Sequence, residues 1–167
     1  MSAGRREVIY SSPLGPIGLW FDSRLARVRL LDAVPAGAAA FEPGSRFVRA
    51  LDRYFAGGDV DVSLSAIDLS GRTGFQRDIY EALIQVPRGA VVGYGELARA
   101  ADRPGGARAV GQALARNPAP IFVPCHRVVK ADGGLGGFSG GPGWKKGLLR
   151  AEGHRIRDGR VARCAKK

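Results

Sequence analysis

The segment VPCHRVV, residues 123–129, sets one of the chain's two cysteines, Cys125, between a proline and a histidine. A free thiol is mostly protonated at neutral pH, so a nucleophilic cysteine needs a base or a positive charge beside it. His126 is the adjacent candidate. On an extended segment, residues i and i+1 point to opposite faces, so His126 acts on the thiol directly only if the chain turns sharply, and otherwise through a bridging water. Glu152 could hold the far side of the imidazole, giving a cysteine, water, histidine, glutamate relay that spacing alone does not fix. The plain alternative for Cys125 is a small buried apolar residue. The remaining soft ligands, His154 and Cys164, would complete a set of two cysteines and two histidines. Adjacent ligands at 125 and 126 break the spaced-pair pattern of zinc sites, however, and Cys164 sits in the tail. No metal and no cofactor is expected.

The charge balance points to the partner. The 167-residue chain carries a formal net charge of +11, which favours a polyanion: nucleic acid first, an anionic membrane surface second. Residues 1–73 hold nine basic against eight acidic side chains, while residues 74–167 hold 17 against 7. The second half is therefore the one to meet phosphate. There is no charged-then-apolar leader, no spanning apolar run and no CxxC pair, so a reducing cytoplasmic setting without membrane association is expected.

The elements that must position these residues follow from periodicity and punctuation. Residues 7–12, 16–21 and 25–31 are short β-favouring runs separated by turn residues, as in a small antiparallel sheet. Phe47, Leu51, Tyr54 and Phe55 fall at helical spacing before Gly57 and Gly58, and residues 60–69 read as a further strand. This half holds no histidine or cysteine and reads as scaffold. Thr73 and Gln76 have the form of a capping box, after which Phe75, Ile79, Leu83 and Val86 trace an apolar stripe up to Pro87. Residues 94–101 and 107–116 form two short helices joined by a glycine-containing turn, the outline of a helix-turn-helix. The second helix can pack Ala107, Val110, Gly111 and Leu114 inward and leave Arg108, Gln112 and Arg116 outward. Residues 121–123 read as a short strand delivering Pro124 and Cys125. Residues 133–143 are too rich in glycine for a core and read as a loop, and residues 144–153 as a last amphipathic helix. The basic residues 154–167 read as a partly disordered tail. The domain division is thus 1–70, 74–153 and the tail 154–167.

FQRDIYEALIQVPRG, VVGYGELA, ARAVGQALARNPAPI, VPCHRVV and GGFSGG together closely resemble the O6-alkylguanine-DNA alkyltransferase family, also called methylated-DNA-protein-cysteine methyltransferases. The match is collinear from about Phe75 to Gly153. The resemblance implies an α+β fold, with a small ribonuclease H-like sheet domain followed by a mainly helical winged helix-turn-helix domain. It implies that Cys125 accepts the alkyl group of O6-alkylguanine irreversibly, mainly from O6-methylguanine and less firmly from O4-methylthymine, in one turnover. His126 then matches the water-mediated base, Glu152 its carboxylate partner, and Asn117 the hinge that orients the segment. Tyr94 matches the residue that crowds the target's 3′ phosphate and gives a proton to the guanine ring. Arg108 matches the finger that replaces the flipped base, and flipping is required because a stacked base cannot present its O6 substituent to a buried thiol. Ser139 resembles the residue contacting O6, with Pro120 and Phe138 as apolar walls and the carbonyls of Cys125 and Val128 as acceptors for the guanine amino group. Ala107 and Gly111 are compatible with close approach to the minor groove, and Gln112 and Arg116 lie on the same DNA-facing helix. The implied partner is double-stranded DNA containing O6-alkylguanine, bound by a monomer, with self-association along DNA left open. Two other readings remain: a non-catalytic alkylguanine-recognition protein of the same fold, and a sequence-specific transcription regulator.

Overall fold

Alternating apolar residues in the first thirty positions build a three-stranded antiparallel sheet, ordered β1 (Arg6–Ser12), β2 (Gly15–Phe21) and β3 (Leu25–Leu30). The computed structural model describes residues 6–37 and 44–162. Ile9 is buried on one face of the sheet, and Val8, Tyr10, Ile17, Leu19 and Val28 are buried at every second position on the other. Helix α1 (Arg46–Phe55) covers that face with Phe47, Val48, Leu51 and Tyr54. Ser45 starts the helix by accepting the Phe47 N–H, and the Phe21 and Phe47 rings meet edge to face at 5.3 Å.

Residues 60–69 do not form the expected strand. Leu64–Ala66 make a 3-10 turn, and Ile67 joins the sheet only through one parallel bridge to Leu25. The reason is competition for the free edge of β3: the Val28 N–H donates to the Pro118 carbonyl at 2.8 Å, so a different segment takes the edge three residues further on. That bond also ties the sheet to the second half of the chain.

Helix α2 (Gly74–Ile84) opens on a complete capping box. Thr73 Oγ1 accepts the Gln76 N–H at 3.2 Å, and Gln76 Oε1 accepts the Thr73 N–H at 3.1 Å. The helix stops at Ile84, so Val86 lies beyond it, half-buried. Strand β4 (Val92–Gly93) pairs in parallel with β5 (Val128–Val129). Helices α3 (Tyr94–Ala100) and α4 (Ala107–Ala115) follow as the helix-turn-helix, with Asp102 in the turn at φ +55°.

Two corrections bear on the site. Residues 121–123 are not a strand: Ile121 adopts φ +76°, and the Val123 N–H donates to the Ala119 carbonyl at 2.8 Å, which makes a buried tight turn. Cys125–Arg127 is a 3-10 turn rather than an extended segment. Helix α5 (Gly141–Ala151) takes the last three residues of the glycine-rich stretch, since Pro142 fits a first helical turn where its missing N–H costs nothing. Beyond it, β6 (Ile156–Arg157) and β7 (Arg160–Val161) form a hairpin where composition suggested partial disorder. Val161 is buried and its N–H donates to the Gly133 carbonyl, so an apolar anchor offsets the basic composition around it. Cys164 lies outside the described residues. Among the described residues no helix is long and apolar enough to cross a membrane.

Candidate active site

Asn117 sets the geometry. It follows α4, is buried, and its side chain spans the turn below it: Oδ1 accepts the Ala119 N–H at 3.0 Å, and Nδ2 donates to the Val123 carbonyl at 2.8 Å. The same amide donates to Cys125 Sγ at 3.1 Å. One side chain therefore fixes both the turn that follows α4 and the position of the sulfur.

Cys125 is 4% exposed and lines a cavity of about 490 Å³ with Tyr94, Ala107, Gly111, Leu114, Ala115, Gly137, Phe138 and Ser139. Tyr94 approaches Gly136 closely: a Cβ at Gly136 would lie 2.9 Å from the Tyr94 hydroxyl, and its φ of +68° disfavours any other residue. The glycine-rich loop can thus fold over the tyrosine. Burial pushes the Cys125 thiol up to about 11. The Asn117 hydrogen bond, the Lys145 charge and the N–H groups of Cys125 and His126 act in the opposite direction. At rest the sulfur is a neutral thiol surrounded by groups that favour its anion.

The 3-10 turn sends His126 away from this cavity into the core, at 0% exposure. Its Nε2 lies 2.7 Å from Glu152 Oε1, while Nδ1 is buried without a protein partner. Burial lowers the His126 pKa, against the pull of Glu152, so the ring is neutral. The carboxylate then selects the Nε2–H tautomer and leaves the Nδ1 lone pair as the acceptor. Burial alone would raise the Glu152 pKa. The hydrogen bonds and charges of His126 and Arg127 outweigh it and hold the carboxyl well below the usual range. Arg127 does so through Nε at 3.0 and 3.2 Å and Nη2 at 2.9 Å, while its Nη1 donates to the Val86 carbonyl.

Three groups in this constellation escaped the reading of the sequence. Tyr54, on α1 in the part read as scaffold, donates its hydroxyl to Glu152 Oε1 at 2.9 Å and lies 3.4 Å from His126 Nε2. Nothing in its local sequence distinguishes it from a core aromatic. Arg127 was visible in the motif but without a role. Lys145 is 1% exposed and donates to the Val128 carbonyl at 2.6 Å. Its signal was present: with Trp144, Leu148 and Leu149 inward, position 145 falls on the same face of α5.

The other expected residues separate into two groups. Ala107 and Gly111 line the cavity, whereas Arg108, Gln112 and Arg116 are exposed on α4. Phe138 and Ser139 border Cys125, but Pro120 lines a larger neighbouring cleft instead. Val128 is fully buried, with its carbonyl engaged by Lys145. Among the described residues no three His, Cys, Asp or Glu side chains come together as metal ligands.

A helix-turn-helix set against a buried thiol with its own histidine and carboxylate defines a class: nucleic-acid-binding proteins that carry their nucleophile within the DNA-binding unit. The family described as 6-O-methylguanine DNA methyltransferase, DNA binding domain, matches residues 74–154. A methylated-DNA–protein-cysteine methyltransferase of Mycobacterium leprae is 40% identical over 151 residues, covering 87% of this chain and 90% of its own. The protein of that description from Methanothermobacter thermautotrophicus is 39% identical over 145 residues, covering 84% and 81%. Among solved structures, Mycobacterium tuberculosis OGT in complex with DNA superposes with a TM-score of 0.73 at 38% identity, covering 88% of this chain and 92% of that one. The O6-methylguanine-DNA methyltransferase of Pyrococcus kodakaraensis gives 0.72 at 31%, covering 89% and 99%. The chain belongs to the O6-methylguanine DNA methyltransferase family.

Proposed function

We propose that the protein repairs O6-alkylguanine in double-stranded DNA by moving the alkyl group to Cys125 once and irreversibly. The observation that carries this reading is the placement of the Cys125 sulfur: it lines the cavity beneath α4, held by Asn117, with the His126–Glu152 pair behind it. His126 Nδ1 takes the thiol proton through an intervening water, and Glu152 stabilises the imidazolium that forms. The thiolate attacks the alkyl carbon in line, the carbon–O6 bond breaks, and its electron pair passes to the guanine. Tyr94, at the cavity wall, supplies a proton to the ring nitrogen, so restored guanine leaves as a neutral base.

The lesion reaches the sulfur only as a flipped base, since the thiol is buried. Arg108, exposed on α4, fills the gap left in the stack, and Gln112 and Arg116 face the duplex beside it. Phe138 packs against the guanine and Ser139 contacts O6. The domain division at about residue 70, a cytoplasmic location and action as a monomer belong to the same reading.

The test is intact-protein mass after incubation with a duplex holding a single O6-methylguanine. The expected result is a gain of one methylene, saturating at one per protein and absent from Cys125→Ser. Tight lesion binding with no mass gain would instead assign the fold to recognition without chemistry.

A further inference from the structure

A second cleft adjoins the alkyl pocket but is not part of it. It measures about 890 Å³ and runs between β3 and the segment after α4, with Ala115 and Ser139 shared between the two cavities. Four arginines line it: Arg27 and Arg29 from β3, Arg72 from the linker before α2, and Arg116 at the end of α4. No acidic side chain is among its lining residues, and none of these four guanidinium groups forms a salt bridge within the described residues. The Nε of Arg72 is buried without any hydrogen-bond partner. Uncompensated cations gathered in one concavity repel each other, and an anion relieves the repulsion.

The wall carries an aromatic platform as well. Trp20 pairs with Arg27 across β2 and β3, and Gly18 pairs with Arg29, so all four lie on the outer face of the sheet. The indole folds across Gly18, where a Cβ would sit 2.7 Å from the ring. Only glycine lets it lie there. Trp20 stays half-buried and lines the cleft, and its β1 partner Glu7 does not. Arg27 and Arg29 follow one another at two-residue spacing, ~6.6 Å along the strand.

We propose that this cleft binds a single-stranded stretch of DNA, with phosphates on Arg27, Arg29, Arg72 and Arg116 and a base stacked on Trp20. Cations in a groove plus an aromatic face is the combination that holds a nucleic-acid strand without regard to sequence. The volume is that of a small-ligand pocket, which admits a few nucleotides and excludes a double helix. Because the cleft and the alkyl pocket share Ala115 and Ser139 in their walls, a strand lying in it runs beside the pocket and can present an alkylated guanine to Cys125 without first leaving a duplex. A lesion in a single strand is thus delivered by a route separate from that of a flipped base; this last step rests on the alkyl-transfer activity, whereas the binding does not.

The experiment has two arms, both with the full chain. In the first, tryptophan fluorescence is followed while a short oligothymidylate is titrated into the native protein, Arg27→Ala/Arg29→Ala and Trp20→Leu. Quenching is expected in the native chain and lost in Trp20→Leu. The double variant is expected to bind at least ~10-fold more weakly, with a salt slope smaller by ~1.4 for two lost strand phosphates, while its affinity for undamaged duplex stays within about twofold. Equal oligothymidylate affinity in the double variant, an equal loss for duplex, or the same quenching by a heparin fragment would overturn the proposal. In the second arm, transfer from O6-methylguanine in a single strand slows in the double variant and transfer from duplex does not; equal slowing of both overturns the separate route. A native chain that transfers nothing from either DNA fails the repair reading, and the first arm still decides the cleft.

Discussion

Lys145 shows how a single residue trades stability for chemistry. Its ammonium is held in the core on α5, where it donates to the Val128 carbonyl, and burial lowers its pKa from 10.5 to about 8. Below about pH 8 the lysine is protonated in both folded and unfolded chains, and the folded state bears the full burial cost. Between about 8 and 10.5 the unfolded chain binds more protons, so this residue makes stability rise with pH; above that range the cost is gone. The shift corresponds to ~3 kcal/mol. The cost serves the thiol: the Lys145 charge is one of the groups that pull the Cys125 pKa down. Lys145→Met is therefore expected to unfold at higher urea than the native protein at pH 7, by ~1–3 kcal/mol, with the advantage shrinking as the pH approaches 10.5. The same variant is expected to alkylate more slowly. Urea unfolding across pH, read beside the transfer rate, checks both halves, and a variant less stable at neutral pH would remove the account.

At the scale of elements, α4 divides its labour by face. Val110, Ala113 and Leu114 hold it to the core, Ala107 and Gly111 border the alkyl pocket, and Arg108 projects outward. A role confined to the duplex separates Arg108 from the chemistry. Arg108→Ala is expected to slow transfer from duplex O6-methylguanine by ~10- to 100-fold, since unstacking a base costs a few kcal/mol, and to leave transfer from a free O6-alkylguanine base nearly unchanged. Equal losses on both substrates would place the arginine in the reaction itself. The face division was legible in the sequence because it follows the helical period, as were the α2 capping box and the three strands of the sheet. Residues 60–69 and 121–123 were not. Their apolar content is strand-like, but the first meets an edge already taken by Pro118 and the second is bent by the Asn117 side chain. Both decisions are made by residues distant in sequence or by a side chain whose bonds exist only after folding. The site divides in the same way: the motif around Cys125 could be read locally, whereas Lys145 required the period of α5 to be trusted over the residue type.

On the scale of the whole molecule, the two halves meet inside the active site. Val28 bonds to Pro118, Arg88 donates to the Tyr54, Gly58 and Ala151 carbonyls, and Tyr54 places its hydroxyl on Glu152, the carboxylate that holds His126. The first half, nearly neutral and without histidine or cysteine, is more than a scaffold. Tyr54 shares Glu152 Oε1 with His126 Nε2, and burial and the Glu152 charge raise its pKa far enough that it stays a donor throughout the working range. Losing the hydroxyl leaves Oε1 a stronger acceptor toward the histidine, so the imidazolium becomes easier to form. Tyr54→Phe keeps the ring against His126 and beneath Arg88, and it is expected to fold with a Tm lower by roughly 2–8 °C for the loss of ~1–2 kcal/mol. The informative readout is the pH profile of the single-turnover rate on duplex O6-methylguanine. Its acid limb is expected to move to higher pH, because protonation of His126 removes the base and now occurs more readily. A lowered Tm with the acid limb unmoved would return Tyr54 to packing alone, and the coupling between the halves would then be mechanical rather than electrostatic.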